Sequence, residues 1–450
     1  MTPVAPGVII AAPASGSGKT VFTLGLLRHL ARRGVAVASA KVGPDYIDPA
    51  FHAAASGRPC VNLDPWAMRR QTLAALTAML AADATWVVCE GVMGLFDGAT
   101  VDSGSTADLA AATGWPVILI VDVRAQAASA AAVVRGFVTH RPDVAVAGVV
   151  FNRAGSERHC QVLRQACAVA VPGLPILGCL PRAAELALPE RHLGLVQAAE
   201  HPALDAFLDA AAAWIACHVD VDTLLRLARQ PQPQPPLSIA SALPATPPVP
   251  PLGQRIAVAD DPAFAFRYPH VERGWHAAGA EILPFSPLAD AAPAADCDAV
   301  YLPGGYPELH AALLAGNARF LAGLRQAAAR GAAVFGECGG YMVLGHGLID
   351  ADGVRHPMAG LLPLETSFAG RRLHLGYRQA ALAANCPLGV AGSRFRGHEF
   401  HYATVVREET ACPLFHCQDA AGGSVGAMGA MEGSVFGSFV HLIDSADGAT

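Results

Sequence analysis

Residues Ala12–Thr20 read APASGSGKT and follow the apolar run Val8-Ile9-Ile10. The ending Gly18-Lys19-Thr20 is that of a phosphate-binding loop, whose usual pattern is Gly, four residues, then Gly-Lys-Ser/Thr. The opening glycine would fall at position 13, where Pro13 stands. Proline has no amide to donate, so position 13 can serve only as a turn. The cradle must start at Gly16. From there the backbone amides of Gly16, Ser17, Gly18, Lys19 and Thr20 would face phosphate oxygens. Lys19 would neutralise the β- and γ-phosphates of ATP, and the Thr20 hydroxyl would take a place around Mg2+. A surface lysine near a helix start is the plainer reading. The strand–turn–helix setting argues for the site.

Working outward, short apolar runs alternate with helical patterns. Val8–Ala11, Val35–Ala40, Trp86–Cys89, Val117–Val121, Val146–Phe151 and Ile176–Cys179 read as buried strands, and Thr20–Arg33 and Gln126–Val138 as helices. That rhythm predicts a parallel sheet with crossover helices. Ile256–Ala259, Ala299–Leu302 and Ala332–Phe335 repeat it as strands, with a helix over Phe320–Arg330 ended by Gly331. Between the two stretches, Arg229–Arg255 is rich in Pro, Gln, Ser and Ala and has no apolar period, which favours extended polyproline II. The expectation is an α/β chain of two domains, 1–230 and 254–450, joined by a Pro-rich linker at 231–253.

At 450 residues the chain is too long for one ordinary core. No uninterrupted apolar stretch approaches the roughly 18–20 residues that a membrane span needs. The nearest, Ala203–Val219, carries Asp205 and Asp209 four residues apart and reads as an amphipathic helix. The phosphate-loop strand begins almost at once, leaving no room for a signal peptide. Eleven cysteines without a CxxC pair suggest reduced thiols and a cytoplasmic protein. The net charge of −6 argues against nucleic acid as a partner.

Mg2+ needs hard oxygen ligands, often carboxylates. Glu90 ends a strand in CEGVMGLFDG, followed by glycines and Asp97, and such strand ends are where open α/β sheets bind ligands. Asp45 and Asp48 lie in KVGPDYIDPAFH after the second strand, where turn formation is the competing reading. Asn152, after the strand Val146–Phe151, is placed to read an adenine edge. In GSTADL, Ser105 or Thr106 would cap a helix.

In the second half, VFGECGGYMVLG places Cys338 directly after a strand, with Gly339 and Gly340 leading into a helix. A thiol on such a turn is exposed at the sheet edge, and the helix field favours thiolate. A buried structural cysteine is the alternative. A cysteine nucleophile needs a base, and His441 in GSVFGSFVHLID is the candidate. The amides of Gly304 and Gly305 in YLPGGYPELH, with Gly339, could stabilise a tetrahedral oxyanion. Asp444 is three residues past His441, so on a strand it faces the opposite side.

PGGYPE, ECGG and GSFVH together resemble a class I glutamine amidotransferase domain. Many such domains have an acid two residues after the histidine. Here that position is Ile443, so a Cys338–His441 dyad is expected. SGSGKT, KVGPDYIDPAFH, GRPCVNLDPW, EGVMGLFDG, GSTADLA, FNRAGSERH and LPERHLGLV resemble the a,c-diamide synthases of corrin-ring biosynthesis, over nearly the whole chain. Their N-terminal half is similar to dethiobiotin synthetase, whose phosphate loop lacks the first Walker glycine. The resemblance implies ATP phosphates on Gly16–Thr20 and Mg2+ on Thr20, Asp45 and Glu90. It also implies adenine at Asn152, and Asp48 and Asp97 near the corrin carboxylate or the transferred phosphate. It implies ammonia released from glutamine and two amidations, at c and then a, through an acyl phosphate. In RGHEFHY, residues 396–402, His398, Glu399 and His401 either line the ammonia route or substrate surface, or are satisfied interior groups. A cobyric acid synthase and a P-loop switch ATPase are the rival readings. The latter carries a second lysine where this chain has Ala14 and has no use for a glutaminase half. The sequence leaves open whether the ring carries cobalt. A homodimer is the default expectation.

Overall fold

The computed structural model describes residues 5–191, 194–229, 246–409 and 412–446. Two compact units emerge: residues 1–66 with 70–242, and residues 67–69 with 243–450. Of the expected linker, residues 231–245 lie outside the described residues. Residues 246–253 lie in the second unit. There Val249 and Leu252 are buried, and the carbonyls of Val249 and Pro250 each accept from Trp275 Nε1 at 3.1 Å.

The first unit is built on seven strands: β1 (Gly7–Ala11), β2 (Val37–Val42), β3 (Cys60–Leu63), β4 (Trp86–Glu90), β5 (Val117–Asp122), β6 (Val146–Ala154) and β7 (Ile176–Pro181). They pair in parallel in the order β3-β2-β4-β1-β5-β6-β7. Both faces of a parallel sheet are covered, so its strands read as continuous apolar runs. β1, β2 and β3 are buried at every residue. β1 lies between β4 and β5, so the winding direction reverses beside it. The crevice beyond the carboxyl ends at such a reversal is the ligand position of open α/β sheets.

The helix Lys19–Arg32 buries Phe22, Leu24, Leu26, Leu27 and Leu30, each contributing roughly 1.5–3 kcal/mol. Gly25 lets the helix Leu204–His218 come close, since a Cβ there would lie 2.7 Å from the Ala211 carbonyl oxygen. The two acids expected on that helix meet Arg28, Asp209 at 2.7 Å and Asp205 at 3.2 Å. Ser105 caps the helix Thr106–Thr113, and Asp108 returns the bond to the Ser105 amide. The helix expected from Gln126 starts at Ala130 instead, because Ala125 adopts a left-handed φ of 60° in the preceding loop.

The second unit also holds a largely parallel sheet. Its strands Glu281–Phe285, Arg255–Ala259, Ala299–Leu302, Ala333–Glu337 and Val435–Ser438 are parallel neighbours in that order, and Ala430–Glu432 joins antiparallel at the edge. The expected helix is Ala318–Ala329, with Gly331 at φ +81° beyond it. The unit does more than repeat the first. An antiparallel sheet runs Ser424–Met428, Phe415–Gln418, His374–Leu382, Arg394–His401, Val440–Ser445, and it carries His441. Its longer strands mix buried and exposed positions, so they have no continuous apolar run to betray them. Among the described residues, no helix is long and apolar enough to cross a membrane.

Candidate functional site

The phosphate loop follows β1, and two of its glycines are conformationally required. Gly16 and Gly18 have φ of +73° and +95°, and a Cβ on Gly18 would fall 2.2 Å from Asn152 Nδ2. Asn152 ties the loop down, donating from Nδ2 to the Ser17 carbonyl at 2.8 Å, while its Oδ1 accepts the Arg153 amide at 2.8 Å. Both ends of the side chain expected at adenine are therefore engaged here. Arg153 donates to the Gly16 carbonyl at 2.8 Å and pairs with Asp122 at 2.6 Å. The Ser17 hydroxyl donates to the Ala14 carbonyl at 2.8 Å. Pro13 makes a turn, and its carbonyl stands where a Cβ on Gly94 would come within 2.6 Å.

Parallel register brings charge together at the strand ends. Lys41 on β2 lies opposite Glu90 on β4, and Ile10 on β1 opposite Glu90 on its other side. Glu90 Oε1 accepts from the Thr20 hydroxyl at 2.7 Å and from Lys41 Nζ at 2.9 Å, and Oε2 meets His52 Nε2 at 2.7 Å. Lys41 also donates to Asp48 at 2.5 Å. Burial alone would raise the Glu90 carboxyl, but the Lys41 charge and the His52 bond hold it below the usual carboxylate range. Burial would likewise lower Lys41, yet Asp48 and Glu90 keep it an ammonium. Asp48 is pushed up to about 7 by burial and by the Asp45 charge, with Lys41 opposing. Lys19 is brought down to about 8 by burial and by Lys41. Its Nζ rests on the carbonyls of Met93, at 2.5 Å, and Ala14, at 3.4 Å.

Thr20, Lys19, Asp48 and Glu90 thus form one cluster. Asp45 stands at its edge. Oδ1 accepts the amides of Ile47 at 2.8 Å and Asp48 at 3.1 Å, the turn role weighed for it, and Oδ2 is left over. Asp97 is exposed and shapes its own loop, accepting the Gly94 amide at 2.9 Å. Lys41 and His52 are members that sequence reasoning missed. The available signal was a lysine, the one charged residue, inside the strand VASAKV.

The second cluster lies wholly in the second unit. Cys338 sits at φ 48° and ψ −103° between the strand Ala333–Glu337 and the helix Gly339–Leu344, a strained elbow. A Cβ on Gly340 would lie 1.9 Å from the Leu302 carbonyl oxygen, so only glycine lets the elbow sit down on the neighbouring strand. Gly304 separates the dyad. A Cβ on it would be 2.3 Å from Cε1 and 3.1 Å from Nε2 of His441, and 3.3 Å from the Cβ of Cys338. A Cβ on Gly339 would be 3.0 Å from the Gly305 amide nitrogen, which places that amide against the elbow.

The charge state differs from expectation. Cys338 is only 2% exposed. Burial, followed by the Glu308 charge, pushes its thiol far above the ordinary value, and the Gly339 amide opposes too weakly. The helix field does not produce a standing thiolate. His441 is pushed down to about 3 by burial and then by His398 and His401. Burial thus favours the neutral thiol and the neutral imidazole alike.

Asp444 is committed elsewhere, to Arg69 at 2.8 Å. The Arg394–His401 strand pairs with the His441 strand, His398 opposite His441. Glu399 is satisfied by Arg378 at 2.6 Å and by His401 Nε2 at 2.9 Å. His401 also stacks on Phe439, with ring centroids 4.0 Å apart. Glu399 and His401 are thus paired interior polar groups, whereas the buried Nδ1 of His398 has no hydrogen-bond partner among the described residues. Glu337, just before Cys338, accepts the Leu442 amide at 2.9 Å and the Tyr301 hydroxyl at 2.6 Å.

Residues 8–196 match the CobQ/CobB/MinD/ParA nucleotide binding domain, and residues 255–448 match the CobB/CobQ-like glutamine amidotransferase domain. A hydrogenobyrinate a,c-diamide synthase of Brucella abortus is 55% identical over 439 residues, 97% of this chain and 98% of that protein. One from Sinorhizobium sp. is 54% identical over 98% of this chain and 100% of that protein. One from Agrobacterium fabrum is 52% identical over 98% of this chain and 99% of that protein.

Proposed function

Because the chain belongs to the family of the hydrogenobyrinate a,c-diamide synthases, we propose that it converts the a and c carboxylates of the cobalt-free corrin, hydrogenobyrinic acid, into amides. The reaction draws on glutamine and ATP and serves cobalamin biosynthesis. The observation that carries this reading is the presence in one chain of the Thr20–Glu90–Lys41 cluster and the Cys338–Gly304–His441 juxtaposition.

In the first unit, a ring carboxylate resists ammonia because its leaving group would be oxide. Transfer of the ATP γ-phosphate to the carboxylate provides a stable leaving group. Gly16–Thr20 hold the phosphates through backbone amides. Lys19 exchanges its two carbonyl partners for phosphate oxygens and spreads their charge. The donor set fits a hard divalent cation: a hydroxyl and an ionised carboxylate 2.7 Å apart, with Asp45 Oδ2 unused. Bound Mg2+ supplies charge neutralisation at the phosphates. Lys41 holds Glu90 and Asp48 in place, Asn152 steadies the loop beneath adenine, and Asp48 and Asp97 lie toward the corrin.

In the second unit, His441 takes the Cys338 thiol proton as the sulfur attacks the glutamine amide carbon. The amides of Gly304, Gly305 and Gly339 receive the developing oxyanion. His441 returns that proton to the departing nitrogen, so ammonia leaves as the γ-glutamyl thioester forms, and water then cleaves the thioester to release glutamate and restore the thiol. Relatives that match over nearly the full chain carry the a,c-diamide name, which favours this reading over cobyric acid synthase. We place the enzyme in the cytoplasm, in keeping with its eleven free cysteines, as a homodimer without nucleic acid partners.

Cys338→Ala tests the two-site account. It abolishes glutamine-dependent amidation and leaves ammonium-dependent amidation intact. Failure of ammonium to rescue the variant rejects the account.

A further inference from the structure

Asp444 lies three residues beyond His441 on the strand Val440–Ser445. Its Oδ2 accepts the Arg69 backbone amide at 2.8 Å and its Oδ1 accepts Nε at 2.9 Å, with Nη2 2.8 Å away in the same ion pair. The Asp444 side chain is 0% exposed and that of Arg69 7%. Nη2 also reaches the carbonyls of Thr246 and Pro247, each at 3.3 Å. In sequence Arg69 belongs to the nucleotide-binding half, one residue ahead of the helix Arg70–Ala82. Residues 67–69 nevertheless form part of the second unit.

The two residues between His441 and Asp444 are held as well. The Leu442 amide donates to Glu337 Oε1 at 2.9 Å, and His270 Nε2 donates to the Ile443 carbonyl at 2.8 Å. Each of the three residues after His441 is therefore fixed by a different buried side chain. One of the three, Glu337, comes from the strand that carries Cys338. The Nε and the backbone amide of Arg69 each hold a different oxygen of Asp444, which restrains the carboxylate in orientation as a lone charge would not.

We infer that Arg69 is a positioning residue for glutamine hydrolysis: its two bonds to Asp444, from Nε and from the backbone amide, fix the strand that sets His441 against Cys338. The inference rests on the Cys338–His441 dyad and deepens it. It assigns to a residue of the nucleotide-binding sequence the task of aligning the glutaminase base.

Removing one partner of a buried ion pair strands the other charge and endangers the fold. The test therefore uses the full-length double variant Arg69→Met with Asp444→Asn, which removes both charges and keeps an acceptor for the backbone amide. The expected result is a fall of about 100-fold in glutamine-dependent kcat, the scale of a misaligned catalytic group. The glutamine KM stays within about threefold, and ammonium-dependent amidation within about twofold. Arg69→Lys, which keeps the charge and loses the directional Nε bond, recovers only part of the glutamine-dependent rate. Wild-type hydrolysis by the double variant or by Arg69→Lys overturns the inference, and so does a parallel fall in ammonium-dependent turnover. Residual glutamine hydrolysis by Cys338→Ala would instead reject the dyad itself, so the two failures read differently.

Discussion

Replacing Gly304 by alanine isolates the geometry of the glutaminase pair. The added methyl would lie 2.3 Å from His441 Cε1, about 1.1 Å short of the 3.4 Å at which ordinary contact begins. His441 is completely buried, so its ring cannot swing into solvent. The opposite wall is the Cβ of Cys338 at 3.3 Å, already tight. Gly304 is not in the left-handed region, so alanine adopts its backbone without strain and the overlap falls on the ring. A displacement of about 1 Å at a catalytic group costs on the order of 100-fold, equivalent to about 2.7 kcal/mol of barrier. Release of glutamate from glutamine should fall by that factor, while amidation with ammonium should hold. Gly340→Ala is the contrast. Its methyl would meet backbone, 1.9 Å from the Leu302 carbonyl oxygen, and both activities should suffer with the fold. Undiminished glutamine hydrolysis by Gly304→Ala would refute the reasoning.

Lys19→Ala should remove amidation with either nitrogen donor by roughly 100- to 1,000-fold, the scale of losing one charge-stabilising donor; full turnover with ammonium would exclude Lys19 from the phosphate site. Glu337 gives a stability test. Burial pushes its carboxyl up from 4.5 to about 7, against the Tyr301 and Leu442 bonds. The fold therefore favours the protonated form, a contribution present in full below pH 4.5 and lost as pH rises through about 7. The loss should amount to about 3 kcal/mol. Glu337→Gln should remove it, and urea unfolding at acidic and alkaline pH reads the difference; an unchanged pH slope in the variant would assign the titration elsewhere.

The residues that sequence alone revealed share one property: their meaning is local. Lys19 and Thr20 follow a strand and open a helix within nine residues of APASGSGKT. Glu90 closes its own apolar run, and Cys338 stands between a strand and two glycines. Lys41 and His52 remained hidden because their partner Glu90 is 49 and 38 residues away, reached by Lys41 through the β2–β4 register and by His52 from the helix Asp48–Ser56. The ion pair of Arg69 and Asp444 spans 375 residues, beyond any reading by spacing. The thiolate expected at Cys338 failed for an energetic reason: the elbow that aims the sulfur also removes it from water, and burial outweighs a nearby amide. The antiparallel strands escaped notice because a sheet half open to solvent leaves no unbroken apolar run.

The three residues 67–69 bear on how this protein can be taken apart. A gene fragment cut at the Pro-rich stretch would encode every residue of the amidotransferase match, 255–448, and still omit the guanidinium that faces Asp444. Such a fragment would enclose a carboxylate with no counter-charge. Exchange of this module between enzymes, whether by recombination or by cloning, has to bring along a tripeptide encoded far upstream or replace Asp444 with a neutral residue.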